Sequence, residues 1–159
     1  MKLRPENELY ALPMIRQTMG ELPHISELGI EFIDIERGRC SAKLPYQRRL
    51  AGNPKNGVLH GGVVTTLMDS VGGAAAFSVV SLGQTVATLD LRIDYLRSAH
   101  PSDALFGEAH CYRHARSVVF VRGEAYDLDR DQPIAHFVAT FAIGSIGFSL
   151  GRDTVDREI

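Results

Sequence analysis

The chain predicts an α+β fold: one long buried helix wrapped by an antiparallel sheet of about six strands. Three observations lead there. The segment GVLHGGVVTTLMDSVGGAAAF (Gly57 to Phe77) is apolar almost all round at helical spacing, so a helix there should be buried almost all round. The segments on both sides of it alternate apolar and polar residues with the period of a strand. Short turns join consecutive strands, which makes those neighbours antiparallel. A sheet of that size has to curl round a single apolar helix to cover it.

The elements follow in order. Residues 5–19 read as a short helix interrupted at Pro13, with Leu9, Leu12 and Ile15 near helical spacing. Gly20 and Pro23 end it. Two strands occupy Gly29 to Leu44: Ile30, Phe32, Ile33 and Ile35 carry the first, while Cys40, Ala42 and Leu44 alternate in the second. Glu36-Arg37-Gly38 is the turn between them. Residues 45–59, with Gly52, Pro54 and Gly57, form a loop. The long helix runs from about His60 to Val80. Its Gly72, Gly73 and the alanines after them let a sheet approach the helix backbone closely, although glycine costs ~1 kcal/mol in a helix interior. After Gly83, Ala87, Leu89, Leu91, Ile93 and Tyr95 line one face of a strand, and Asp90, Arg92 and Asp94 the other. Pro101-Ser102-Asp103 is a turn. Leu105 to Tyr112, Val118 to Asp127 and Ile134 to Ile146 are three further strands. The expected organisation is an N-terminal helical segment (1–28), one domain (29–149) and a polar tail (150–159).

Bulk properties exclude several classes. The 159 residues suit one domain with one core. The formal net charge of −2 provides no basic field for nucleic acid or an anionic membrane. Cys40 and Cys111 stand apart, with no C-x-x-C, and suit a reducing compartment. The N-terminus lacks the apolar run of a signal peptide, and His60, Asp69 and the paired glycines argue against a membrane span between Gly57 and Leu82. The expectation is a cytoplasmic protein. The histidines show no zinc-ligand spacing, so no metal is expected. No G-x-S-x-G elbow, Walker loop or G-x-G-x-x-G is present.

One acid stands out. Asp69 lies among Val63, Val64, Leu67, Met68 and Val71, where a carboxylate is costly unless compensated. His60-Gly61-Gly62 precedes it at the expected helix start, where backbone N–H groups favour negative charge. An acid and an anion-stabilising helix end suggest chemistry on a carbonyl. Gly61 has no side chain to keep a carbonyl from its N–H, so it can act as an oxyanion donor; the plain alternative is a tight turn into the helix. The carboxylate of Asp69 can activate water or attack an acyl group itself; the alternative is a structural acid. His60 is read as orienting the loop through a ring hydrogen bond, since Asp69 already fills the base role.

The segment GNPKNGVLHGGVVTTLMDSVGG (Gly52 to Gly73) combines a loop asparagine, G-x-x-H-G-G and an acid nine positions after the histidine. TLDLRIDYLRSA (Thr88 to Ala99) and YRHARSVVFVRGEAYD (Tyr112 to Asp127) follow. Together, over roughly residues 25–146, this resembles the hotdog fold, and within it the phenylacetate-pathway type of acyl-CoA thioesterases. The resemblance implies hydrolysis of acyl-CoA to free acid and coenzyme A, with coenzyme A as part of the substrate and no separate cofactor. It implies Asp69, Gly61 and His60 as site residues. The family asparagine falls at Pro54, so Asn53 or Asn56 takes that role, with Asn53 preferred. The family's strand serine or threonine corresponds to Thr88. Simple alternation turns Thr88 away from Leu89 and Leu91; a bulge or a subunit contact would turn it back. For substrate binding the resemblance points to Gly62, Asn56, Tyr95, Arg97, Arg113, Arg116 and Ser117, the arginines being suited to phosphates. It also implies a homodimer, or a dimer of dimers.

Helix geometry sharpens the assembly. Gly61 and Asp69 are eight residues apart, which is ~12 Å of rise with directions ~80° apart. Groups acting on one carbonyl must lie within ~3 Å of the reacting atoms. If both act, Gly61 of one chain works with Asp69 of another, giving two composite sites in a dimer. The rival readings are a hydratase on the same fold, disfavoured because no histidine stands beside Asp69 on the helix, and a non-catalytic acyl-CoA-binding domain, which needs no helix acid.

Overall fold

A computed structural model of the protein describes residues 5–81, 84–101 and 103–144. The chain begins with α1 (Pro5–Gly20) and α2 (Pro23–Leu28). The strands are β1 (Glu31–Glu36), β2 (Arg39–Leu44), β3 (Val86–Tyr95), β4 (Leu105–His114), β5 (Val118–Tyr126) and β6 (Ala135–Ile143). The long helix α3 (Gly61–Phe77) lies between β2 and β3 in the chain. All pairings are antiparallel, in the order β1-β2-β4-β5-β6-β3. This is the expected hotdog arrangement, with the sheet packed around α3.

The core lies between α3 and one face of the sheet. Leu67, Met68, Val71, Ala74, Ala75 and Ala76 of the helix are fully buried. They meet alternate residues of the strands, among them Ala42 and Leu44 of β2, Leu105 of β4, Val119 and Val121 of β5, and Phe137 and Phe141 of β6. Small residues set the close approach. A Cβ on Gly72 would sit 3.1 Å from Phe137 and 3.2 Å from Phe141. On the sheet, a Cβ on Gly123 would fall 2.0 Å from the Glu108 carbonyl oxygen, so no other residue fits that ladder position.

Four expectations about the helices change. Pro13 does not interrupt α1, which continues through it. A proline removes one helix hydrogen bond, while burial of Ile15 and Met19 beyond it holds the helix in place. Residues 23–28 form the unforeseen α2, started by Pro23 and stopped by Gly29 at φ 71°, a left-handed conformation suited to glycine. Helix α3 ends at Phe77, three residues before Val80. It is also not buried all round: Gly61, Gly62, Thr65, Thr66, Asp69, Ser70 and Gly73 form an exposed or half-buried stripe. The expected tail 150–159, the end of the sixth strand at 145–146 and Ser102 lie outside the described residues.

Two bulges decide which way side chains point. In β1 the register shifts between Phe32 and Asp34, leaving Ile33 exposed while Phe32 and Ile35 stay inside. In β3 it shifts between Thr88 and Asp90. One extra residue reverses alternation. Thr88, Leu91, Ile93 and Tyr95 therefore stand opposite Phe141, Ala139, Phe137 and Ala135, the inward residues of β6. Leu89, expected on the apolar face, is 62% exposed.

Candidate active site

The loop before α3 is tied down by short-range bonds. His60 N–H donates to the Leu50 carbonyl (3.0 Å), and Gly52 N–H to that of Val58 (2.8 Å). A Cβ on Gly52 would meet the His60 Cα at 2.9 Å, so a glycine is needed where the loop crosses itself. Tyr46 Oη donates to the Gly57 carbonyl (3.0 Å). Asn53 Oδ1 accepts from Lys55 N–H (3.0 Å), and Asn56 Oδ1 from Val58 N–H (3.2 Å). Both asparagines are exposed and shape the loop through their carbonyl oxygens, which leaves the amide N–H groups as the ends able to donate outward.

His60 is the N-cap of α3, and its Nδ1 accepts from Gly62 N–H at 2.9 Å. The neutral ring then carries its proton on Nε2. That bond uses one of the free N–H groups at the helix start. Gly61 N–H makes no hydrogen bond among the described residues. Its carbonyl, by contrast, accepts from Tyr95 Oη (2.9 Å) and Thr65 Oγ1 (3.1 Å), and those two hydroxyls are 2.9 Å apart. Thr65 was not singled out from the sequence, although it lies one turn beyond Gly61. The nearest atoms to a Cβ on Gly61 would be those of the Tyr95 ring and hydroxyl, at 3.5 Å or more, which is ordinary contact. The chain's own packing therefore does not demand a glycine at 61.

Two turns along the same stripe, Asp69 Oδ1 accepts from Thr88 Oγ1 at 2.9 Å. The β3 bulge makes this bond, since without it Thr88 would face away from the helix. Asp69 and the Gly61 N–H thus open on one exposed stripe, ~12 Å apart along the axis.

The arginines divide. Arg97 faces Asp127 in a two-point pair, Nη2 to Oδ1 at 2.7 Å and Nη1 to Oδ2 at 2.9 Å. Its Nε and Nη2 also donate to the Gln132 carbonyl, and Nη1 to that of Ser98. All five N–H donors are occupied. Asp127 is 6% exposed and also accepts from His100 N–H (2.9 Å). The Arg97 guanidinium, aided by that N–H bond, holds its carboxyl well below the usual carboxylate range despite burial. The sequence hides this pair because nothing marks Asp127 as buried.

Arg113 and Arg116 are exposed, as is Ser117 in the β4–β5 turn. Strand register puts that turn beside Ile143 and Val86, at the opposite end of the sheet from Tyr95 and Ala135. One chain does not bring Arg113 and Arg116 next to Tyr95 and Arg97. Among the described residues, no cluster of histidine, cysteine, aspartate or glutamate could hold a metal ion, and no helix is long and apolar enough to cross a membrane.

Comparisons with known proteins converge on one family. Residues 56–134, which contain the end of the loop with α3, β3, β4 and β5, match the thioesterase superfamily. Two archaeal relatives bear esterase names. The Halobacterium salinarum protein is 34% identical over 92 residues, covering 56% of this chain and 61% of that protein, less than two thirds of its length. The Saccharolobus solfataricus protein is 30% identical over 102 residues, covering 64% and 70%. The medium/long-chain acyl-CoA thioesterase YigI of Salmonella typhimurium is 26% identical over 136 residues, covering 77% and 86%. A solved structure of a Pseudomonas aeruginosa protein superposes with a TM-score of 0.74 at 40% identity, covering 82% of this chain and 97% of that one. With a sheet of this order packed on a helix of this motif, the chain belongs to the thioesterase superfamily.

Proposed function

We propose that the protein hydrolyses acyl-CoA thioesters to the free acid and coenzyme A, in sites shared by two copies of the chain. The observation that carries this is the Thr88-held carboxylate of Asp69 on the exposed stripe that also presents the Gly61 N–H. The thioester carbonyl oxygen binds at Gly61 N–H of one chain, where the helix start stabilises developing negative charge. Asp69 of the other chain draws a proton from water as it attacks the carbonyl carbon, or attacks that carbon itself. In the first route the C–S bond breaks, the thiolate leaves and takes up the proton drawn from water, and the acid is released. In the second, C–S cleavage releases the thiolate, which takes up a proton from solvent, and leaves a mixed anhydride on Asp69 that water then hydrolyses to free the acid and restore the carboxylate. His60 caps the helix and fixes its first turn. Asn53 or Asn56 reaches the ligand through its amide. Arg113, Arg116 and Ser117 meet the phosphates of coenzyme A, while Arg97 is assigned to holding the fold, since its donors are all used. Tyr95 and Gly62 border the bound carbonyl.

The motif spacing supports the phenylacetate-pathway type. The likeness to YigI supports medium and long acyl chains. A free-thiol release assay over aryl- and fatty acyl-CoAs, with wild type and Asp69→Asn side by side, tests the proposal. A loss of ~100-fold or more in kcat on removing the base or nucleophile is expected; equal rates for the two proteins would sink the catalytic role.

A further inference from the structure

The Gly61 N–H can serve as a donor only if its direction is fixed, and glycine fixes nothing by itself, because without a Cβ it turns freely about φ and ψ. Gly61 and Gly62 together open α3, so the restraint has to come from bonds around them. The peptide that carries the Gly61 N–H is held through its carbonyl, that of His60, which accepts from Val63 N–H at 2.9 Å. The next peptide, between Gly61 and Gly62, is held at both ends. Its N–H donates to His60 Nδ1, and its carbonyl accepts from Tyr95 Oη and Thr65 Oγ1. With the peptides on both sides of the Gly61 Cα held, the free N–H points one way.

The two hydroxyls reach the Gly61 carbonyl from different elements. Thr65 lies one turn along α3, so its bond is local. Tyr95 is the last residue of β3 and ties the turn to the sheet. Tyr95 Oη and Thr65 Oγ1 stand 2.9 and 3.1 Å from the carbonyl oxygen and 2.9 Å from each other. Each hydroxyl carries one proton, so the carbonyl accepts at least one hydrogen bond in every arrangement of the pair. Either hydroxyl can therefore stand in for the other. A donor at the carbonyl also polarises its peptide and strengthens the bond that the peptide N–H makes, which carries the effect on to His60. Tyr95 is 51% exposed, where water would serve its hydroxyl equally well; burial does not force it onto a backbone carbonyl.

We propose that Tyr95 and Thr65 are positioning residues for the hydrolysis: acting together through the Gly61 carbonyl, they aim the Gly61 N–H at the thioester oxygen. The role rests on the proposed use of that N–H as oxyanion donor, which must lie ~3 Å from the atom where charge develops. Strand β3 then holds both functional groups of the helix stripe, Asp69 through Thr88 and the glycine turn through Tyr95. In sites shared by two chains, one β3 sets the acid of one site and the donor of the other.

Tyr95→Phe and Thr65→Val each remove one hydroxyl at nearly constant shape. In thiol release from acyl-CoA, kcat is expected to fall about 3-fold for each, since the other hydroxyl remains, and ~30-fold or more for the pair, beyond the product of the single losses. KM should hold, and thermal melting checks that each variant is folded. Tyr95→Phe combined with Thr65→Ser keeps one hydroxyl and should return to the level of Tyr95→Phe alone. Hydrogen exchange read by NMR at the Gly62 amide should quicken ~10-fold or more in the Tyr95→Phe, Thr65→Val pair, with the rest of α3 unchanged. A folded pair with the wild-type kcat, a loss no larger than the product of the singles, or a loss confined to KM overturns the proposal. Wild type that releases no thiol from any acyl-CoA defeats the hydrolysis reading instead. Unchanged Gly62 exchange in the pair overturns the clamp whether or not the wild type is active.

Discussion

Replacing Asp127 with asparagine separates a structural role for Arg97 from a phosphate-binding one. Asp127 is 6% exposed and Arg97 32%. Breaking a buried ion pair costs ~3–5 kcal/mol because one charge is left uncompensated. Arg97 is about one third open to water and keeps its bonds to the Gln132 and Ser98 carbonyls, so solvent screening lowers the expected loss to ~2–3 kcal/mol. For a chain of this size each kcal/mol moves Tm by ~2–4 °C, giving a fall of ~4–12 °C. The sign with pH follows from the direction of the shift. The folded-state carboxyl lies below its unfolded value, so its stabilisation is complete above the unfolded value of ~3.9 and fades as pH falls below it. The wild type and Asp127→Asn should therefore differ fully at pH 7 and converge as the pH drops below ~4. Urea unfolding across that range reads the difference, and acyl-CoA titration at neutral pH reads KM. An unchanged Tm together with a ten-fold rise in KM would refute the assignment of Arg97 to the fold.

Three further substitutions bear on the site and its scaffold. Thr88→Val removes the donor to Asp69 with little change in volume; a hydrogen bond to a charged group contributes ~1.5–3 kcal/mol, less where exposed, so kcat should fall about 5- to 30-fold with Tm nearly unchanged, and an unaltered kcat would show that Asp69 needs no such support. Gly61→Ala has room in the chain and favours helix, so stability should hold or rise by up to ~1 kcal/mol while thiol release collapses; a variant with full activity would contradict the carbonyl's approach to that N–H. Gly123→Ala drives a Cβ against the Glu108 carbonyl and Phe137, and overpacking there should destabilise the protein by ~3 kcal/mol or more, visible as loss of soluble protein or a large fall in Tm.

The sequence carried the architecture well because the fold depends on periodicity, which is local. Helix α3, the hairpin of β1 and β2, and the run of β3 to β6 follow from spacing and turn residues. What it concealed depends on single insertions and distant pairs. The bulge at Leu89 is invisible in TLDLRIDY, since alternation reads smoothly through it, yet it turns Thr88 to Asp69. Hydrophobicity alone also fails to separate Gly61, Thr65, Asp69 and Gly73 from the buried face, because glycine and threonine are compatible with a core. Arg97 looked like a phosphate ligand because its partner Asp127 lies 30 residues away, and only the register at the end of β5 brings them together. The bond of Tyr95 to the Gly61 carbonyl, and the part played by Thr65, follow only from the geometry of the helix start.

The shared site is the central claim, and subunit mixing tests it most directly. Asp69→Asn and Gly61→Val, each first shown to be inactive alone, are unfolded together, refolded and verified as mixed dimers. Each mixed dimer then holds one site with an intact Asp69 and an intact Gly61, contributed by different chains, and one site with neither. The account predicts recovery to about one half of the wild-type rate per intact dimer in a population of purely mixed dimers. Verified mixed dimers with no thiol release would contradict it, because Gly61 and Asp69 would then have to serve from the same chain.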